Sequence, residues 1–257
     1  MTSDELAARL RAAGCVFAEE EAALLLGSGH RGAGLEALVR RRLAGEPLET
    51  VLGWVAFAGR RLQVRPGVFV PRRRTELLAR IAADRCGPGS VLLELCCGVG
   101  PVAATVTARE IHLGDLDPVA LECARVNVPH GHVHASDLYA DLPGDLRGRV
   151  DVVAANAPYV PTDHIELMPP EAREHETAMA LDGGADGVDL HRRIAAEASA
   201  WLAPGGVLLI ETSRAQAPLT EGAMLAAGLA TEVVTDDESG GCVVLGLVRG
   251  LRRGEPA

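Results

Sequence analysis

Lysine is missing from this chain: all 25 basic residues among its 257 are arginines. Schiff-base chemistry on a lysine amine and a lysine general base are therefore excluded. Aromatic residues amount to 3%, so Ala, Leu and Val must fill the core, which favours helix-on-sheet layers over an aromatic-rich β-sandwich. An excess of basic charge is lacking too, the formal net charge being −10. That argues against stable nucleic-acid binding, because a sequence-independent grip on the phosphate backbone comes from Lys and Arg displacing counterions. The six cysteines, at 15, 86, 96, 97, 123 and 242, include no Cys-x-x-Cys pair, as expected of reduced thiols in a cytoplasmic protein. No apolar run approaches a membrane span, and the amino terminus reads Thr2-Ser3-Asp4-Glu5 rather than a basic start followed by an apolar core. A soluble, intracellular protein with no membrane partner is expected.

What is present is 48% hydrophobic content, enough for one large domain or one domain with a small appendage. Ser3 and Asp4 are placed to cap a helix with Leu6 and Leu10 on one face, and residues 19–26 and 35–43 repeat that spacing. From 45 to 70 the pattern changes to Gly, Pro and short apolar runs, and the runs 54–57 and 61–64 flank Ala58-Gly59-Arg60 as a hairpin. Thr75 is placed to cap a helix over 76–83. A βα rhythm follows, with strands expected over 91–95, 111–114, 132–134, 150–155, 207–211, 230–235 and 242–248, and helices such as 118–127 and 190–202. Only 236–241 separates the last two strands, which predicts a terminal hairpin and one antiparallel strand in an otherwise parallel sheet.

The run Glu94-Leu95-Cys96-Cys97-Gly98-Val99-Gly100 falls where a strand ends and a helix should begin. Gly98 and Gly100 there let backbone amides approach a ligand, although a Gly-x-Gly is weak evidence by itself. Asp115, at the end of the second strand of the series, is placed to accept hydrogen bonds from both ribose hydroxyls. Asp117 is better read as the cap of the helix opened by Pro118. Asp137, after the third strand, suits either an exocyclic adenine amine or a simple loop cap. Three acids and a glycine loop fit an adenosine-containing ligand, and NAD and S-adenosylmethionine both meet that description. Asn156-Ala157-Pro158-Tyr159, after the fourth strand, separates them by bringing together an amide, a backbone carbonyl and an aromatic face.

In this combination the chain resembles the HemK-type protein glutamine-N5 methyltransferases, within the class I S-adenosylmethionine-dependent methyltransferases. The resemblance runs from about 45 to 248. It rests on Gly45-Glu46-Pro47-Leu48 with Leu52-Gly53, Val70-Pro71-Arg72 with Thr75-Glu76, Glu94 to Gly100, Asn156 to Tyr159 with Val160-Pro161, and 171–176 leading into Ala180-Leu181-Asp182-Gly183-Gly184. It implies a Rossmann-like α/β fold with a seven-stranded, mostly parallel sheet carrying one antiparallel strand. It also implies a small N-terminal helical substrate-recognition domain (1–44), a β-hairpin connection (45–70) and a catalytic domain (71–257). The implied cofactor is S-adenosylmethionine, with S-adenosylhomocysteine as product, bound by Pro71, Arg72, Thr75, Glu94, Cys96, Gly98, Gly100, Asp115, Leu116, Asp137, Leu138 and Asn156. The implied acceptor is a protein glutamine, as in peptide-chain release factors. The Asn156 oxygen and the Ala157 carbonyl would accept its two amide hydrogens, Pro158 would hold Ala157 extended, and Tyr159 would pack on the amide plane.

The chain departs from the family pattern at Ala157 and Arg73, where proline is usual, and at Cys96, where the cofactor loop usually has its first glycine. Only 44 residues precede Gly45, a shorter helical front than is usual in the family, so the acceptor is less determined than the reaction. Cys96 and Cys97 read as small packing residues, and 182–187 as a glycine-rich turn rather than a calcium loop. His130, His132 and His134 alternate without a nearby carboxylate or thiolate cluster, and no metal is expected. Arg72-Arg73-Arg74 reads as a solvated face or as a lure for an acidic partner. A nucleic-acid or small-molecule amino N-methyltransferase is the enzymatic alternative, and an S-adenosylmethionine-binding scaffold without turnover is the non-enzymatic one.

Overall fold

The computed structural model describes residues 2–168 and 170–248; Met1 and 249–257, the two ends of the expected domain ranges, lie outside the described residues. Helices α1 (Ser3–Ala12), α2 (Ala18–Gly27) and α3 (Gly32–Leu43) come first. Thr2, not Ser3 or Asp4, caps α1: its hydroxyl accepts from Glu5 N at 3.2 Å while the Glu5 carboxylate accepts from Thr2 N at 2.7 Å. The reciprocal box needs Glu three residues after the cap, and only the Thr2 frame provides it. Leu6, Leu10, Ala22, Leu25 and Val39 close a core beneath these helices. A fourth helix, α4 (Leu48–Leu52), lies inside the stretch expected to be only a hairpin connection, and its Val51 joins that same core.

Strands β1 (Trp54–Phe57) and β2 (Arg60–Gln63) pair antiparallel from Trp54 opposite Gln63 to Phe57 opposite Arg60. Helix α5 (Glu76–Arg85), β3 (Val91–Leu95), β4 (Glu110–Asp115), α6 (Pro118–Asn127), β5 (His132–Ala135), β6 (Val150–Ala155) and α7 (Pro170–His175) follow. The chain continues through α8 (Asp189–Trp201), β7 (Leu202–Glu211), α9 (Ala217–Ala226), β8 (Ala230–Asp236) and β9 (Gly241–Leu247). The hairpin buries Val55, Phe57 and Leu62 in the layer that also holds α5 and α6. Asn127, closing α6, pins it by accepting from Gln63 N at 2.7 Å and donating to Gln63 O at 3.0 Å. Helix α9 was not singled out in the sequence, where its Ala- and Gly-rich run carries a weak 3.6 periodicity.

The main sheet has the order β5-β4-β3-β6-β7-β9-β8, and β9 alone runs antiparallel to its neighbours. The terminal hairpin and the single antiparallel strand therefore stand as expected. The strand order adds that β9 turns back inside β8. Residues Gly241–Gly246 are buried on both faces, whereas β8 is half-exposed along its length; a continuous apolar run belongs in the interior and a polar one at the edge.

The alternating histidines stack across the other edge of the sheet. His112 on β4 lies with its ring centroid 4.9 Å from that of His132 and 5.4 Å from that of His134, with Nδ1 3.1 Å from His134 Nε2. Burial pushes the His112 imidazole down from 6.5 to about 4. The unfolded chain takes up a proton near pH 6.5 and the folded one resists until about pH 4, so stability falls as the pH drops through that window and is fully present above it. His112→Leu should remove this share. In urea titrations at pH 7.5 and pH 5, the wild type is expected to lose about 2 kcal/mol more than the variant, and equal losses would contradict the assignment.

Candidate functional site

A cavity of about 930 Å³ opens at the carboxyl ends of β3 to β6 and extends to the front helices, where Glu21 and Arg42 form part of its wall. Those two residues tie α2 to α3 through a buried two-armed ion pair, at 2.6 and 3.0 Å. Every residue expected to contact cofactor or acceptor lines this cavity except Gly100. Gly100 instead serves packing: a Cβ there would lie 2.8 Å from the Leu113 side chain, and φ is +77°. Gly98 differs, because a Cβ on it would meet nothing within 4 Å, leaving open space above the loop. Cys96 holds φ +49°, the left-handed region that the usual glycine would occupy without strain.

The acids beneath the loop are anchored to backbone. Asp115 accepts from Gly98 N at 2.7 Å with one oxygen and from Asp117 N at 2.9 Å with the other. Burial raises its carboxyl above the ordinary range, and these N–H donors pull it back. Each oxygen keeps lone-pair capacity for a ligand. Glu94 accepts from Val102 N at 3.2 Å and Ala103 N at 2.7 Å, and burial pushes its carboxyl up to about 8. Asp117 caps α6 by accepting from Val119 N. Asp137 pairs with Arg193 of α8 at 2.9 Å through one carboxylate oxygen. Arg193 also lines the cavity, and nothing distinguished it in sequence from any surface arginine of a helix.

Pro71 and Arg72 enter the cavity beside a carboxylate that in the sequence is only the last residue of the 171–176 motif. Glu176, its side chain 1% exposed, accepts from Arg72 at 2.6 Å and from Val70 N at 3.2 Å. Thr75 does not cap α5. It lies in a short 3₁₀ turn with helical backbone, no capping bond forms, and its hydroxyl instead accepts from Asn156 Nδ2 at 3.3 Å.

The tetrad after β6 is clasped from behind by the glycine-rich turn. Val160 N donates to Leu181 O at 3.0 Å, and Gly183 N donates to Val160 O at 2.8 Å. A Cβ on Gly183 would lie 2.7 Å from Tyr159 Cα, and one on Gly187 2.4 Å from Tyr159 O. Gln216, which carried no sequence signal, donates to Tyr159 O at 2.8 Å and to Asp186 O at 3.1 Å. The buried His191 imidazole lies against the Ala157 backbone with Nδ1 2.9 Å from Thr220 Oγ1, and burial lowers it to about 4. Tyr159 is mostly buried, its hydroxyl pushed up to about 12 by that burial, and the Arg74 guanidinium stands 5.6 Å from its ring. The result is a fixed strip of chain with a side-chain amide, a carbonyl and a ring beside a deep cavity.

No family model matches the chain. The release factor glutamine methyltransferase of Streptomyces coelicolor is 38% identical over 189 residues, covering 70% of this chain and 67% of that protein. That of Deinococcus radiodurans is 33% identical and covers 91% and 87%. A 4-amino-L-phenylalanine/4-methylamino-L-phenylalanine methyltransferase of Streptomyces pristinaespiralis is 36% identical, covering 67% and 63%. Among solved structures, a methyltransferase from Pyrococcus furiosus shares the fold with a TM-score of 0.57 at 15% identity, over 82% of this chain and 98% of that one.

Proposed function

The chain belongs to the release factor glutamine methyltransferase family, and on that premise we propose that it transfers a methyl group from S-adenosylmethionine to the side-chain amide nitrogen of a glutamine in a peptide-chain release factor. The site fits the cofactor: the cavity is deep, space above Gly98 is open, and Asp115 sits at the strand end with lone pairs to spare. When bound, S-adenosylmethionine supplies a sulfonium methyl; the acceptor nitrogen bonds to that carbon, the C–S pair stays on sulfur and an N–H proton leaves to water.

The observation that carries the reading is the orientation of Asn156. Its Nδ2 is engaged by Thr75, so its oxygen is left for the acceptor. With the Ala157 carbonyl it offers two acceptors, matching the two hydrogens of a primary amide. An amide nitrogen is a poor nucleophile because its lone pair is delocalised. Holding both hydrogens turns the nitrogen toward the methyl and favours the positive charge that develops there. Tyr159 supplies a flat wall, and the clasp by Gly183, Gly187 and Gln216 keeps the strip from shifting.

The test is incubation of the protein with labelled S-adenosylmethionine and a release factor, followed by mass spectrometry of the Gly-Gly-Gln glutamine. A label on that glutamine is expected, and none on it would refute the substrate. The relative from Streptomyces pristinaespiralis supports a second reading in which an aromatic amine of a small molecule is the acceptor. 4-Amino-L-phenylalanine in the same assay separates the two. Among the described residues no helix is long and apolar enough to cross a membrane, and the proposed substrate belongs to the cytoplasm.

A further inference from the structure

The arginine run 72–74 does not form one face. Arg72 pairs with Glu176 at 2.6 Å, Arg73 with Glu238 at 2.8 Å and Arg74 with Glu211 at 3.3 Å, so each side chain leaves in its own direction. Arg73 is not part of the cavity wall, whereas Arg72 and Arg74 line it together with Arg42 and Arg193. Three of these four spend terminal guanidinium nitrogens on protein: Arg42 on Glu21 and the Glu46 carbonyl, Arg72 on Glu176, and Arg193 on Asp137. Arg74 is tied back through Nε instead, to Glu211 Oε1, and this tie uses neither terminal nitrogen. With 42% of the side chain exposed, the fork of Nη1 and Nη2 stands in the open cavity.

The order of the strands fixes which end of the cavity this is. The glycine loop follows β3, Asp115 ends β4 and Asp137 follows β5, whereas Glu211 ends β7, on the opposite side of β6. The tetrad after β6 lies between the two groups. Arg74, drawn to Glu211 and 5.6 Å from the Tyr159 ring centroid, is therefore on the side of the tetrad away from the cofactor strands. Glu211 itself is fully buried and does not line the cavity, so a ligand there meets the guanidinium without the carboxylate behind it.

We propose that Arg74 is an acceptor-binding residue whose terminal fork donates to the α-carbonyl oxygen of the residue that is methylated. The inference deepens the function proposed above and rests on it. Asn156 Oδ1 and the Ala157 carbonyl can only accept, so they hold the side-chain N–H groups of a glutamine and give its carbonyl oxygens nothing. A carbonyl brought out of water needs a donor, and Arg74 supplies a planar, charged one beside Tyr159. The side-chain carbonyl is the wrong target, because a cation on that oxygen would hold in the amide the electron pair that the nitrogen must use. In a release factor the α-carbonyl is a peptide carbonyl, and in a free amino acid it is a carboxylate.

Arg74→Met keeps the stem and removes the fork. It is expected to raise the KM for the release factor about 10- to 100-fold, the worth of one hydrogen bond from a charged donor. The kcat and the Kd for S-adenosylmethionine should move less than about threefold, as for a contact made equally in ground and transition states. The variant also strips the buried Glu211 of its counter-ion, so the control is the double variant of Arg74→Met with Glu211→Gln, which removes both charges. If Arg74 only neutralised that acid, the double variant would regain the wild-type KM. Acceptor binding predicts that it stays raised.

Calorimetric binding of the release factor to the protein loaded with S-adenosylhomocysteine reads the same contact without turnover, and its Kd should rise in both variants. A KM and Kd unchanged in Arg74→Met, recovery in the double variant, or a loss that falls on S-adenosylmethionine would overturn the proposal. A wild type that leaves the release factor unlabelled but methylates 4-amino-L-phenylalanine would fault the assigned substrate. The Arg74 assignment would then stand or fall on whether Arg74→Met raises the KM for that amino acid by the same factor. A wild type that binds and methylates neither would refute both readings.

Discussion

Asn156→Ala is expected to lower kcat by about 10²- to 10³-fold on the amide acceptor, with a much smaller change in S-adenosylmethionine affinity. The size follows from what the side chain does. In the role proposed for Asn156, one of two fixed acceptors is removed at the point where charge develops, and losing a single pre-oriented group of that kind typically costs this much. The variant also leaves the buried Thr75 hydroxyl without its partner, yet that defect lies behind the site and does not touch the cofactor wall at Gly98 and Asp115. Single-turnover measurements with labelled cofactor give the rate, and calorimetry gives the affinity. A variant within about fivefold of wild type would mean that Asn156 does not hold the acceptor.

Gly187→Ala should be the most disruptive substitution away from the reacting groups. Its φ is +77°, a conformation that costs a residue with a Cβ about 1–2 kcal/mol. The added carbon would lie 2.2 Å from Gln216 Nε2 and 2.4 Å from Tyr159 O, so the clamp on the tetrad must open or the turn must move. Overpacking of this kind costs about 1–3 kcal/mol more. Together these give a loss of about 3 kcal/mol, or roughly a 10 °C fall in Tm for a chain of this size. The displaced Tyr159 carbonyl should also slow turnover by about 100-fold, measured well below the new Tm so that unfolding does not contribute. Full activity with an unchanged Tm would show that the clasp is not needed.

The calcium-like look of 182–187 illustrates what sequence could and could not supply. Its glycines were recognisable as a turn, but the reason for Gly183 and Gly187 is the backbone of Tyr159, more than twenty residues earlier in the chain. Thr75 is similar. Its place before a helix made it look like a cap, and only the approach of β6 to the turn at Arg73–Thr75 shows its hydroxyl serving Asn156 instead. Glu211 and Gln216 were invisible for the same reason. An acid ending an apolar strand and a glutamine before a helix have no local pattern that marks them; their partners come from other elements.

The amino-acid sequence by itself determined the βα alternation, the antiparallel last strand, the glycine loop with its acids, and the Asn156–Tyr159 tetrad on which the proposed chemistry rests. These are legible because period, turn residues and short motifs act between neighbours along the chain. Tertiary structure alone decided that β9 lies inside β8, that the front helices contribute Glu21 and Arg42 to the cavity, and that Asn156 is oriented through Thr75. Each of these depends on contacts between segments far apart in sequence, where burial and hydrogen-bond satisfaction choose the partner and no local preference can name it.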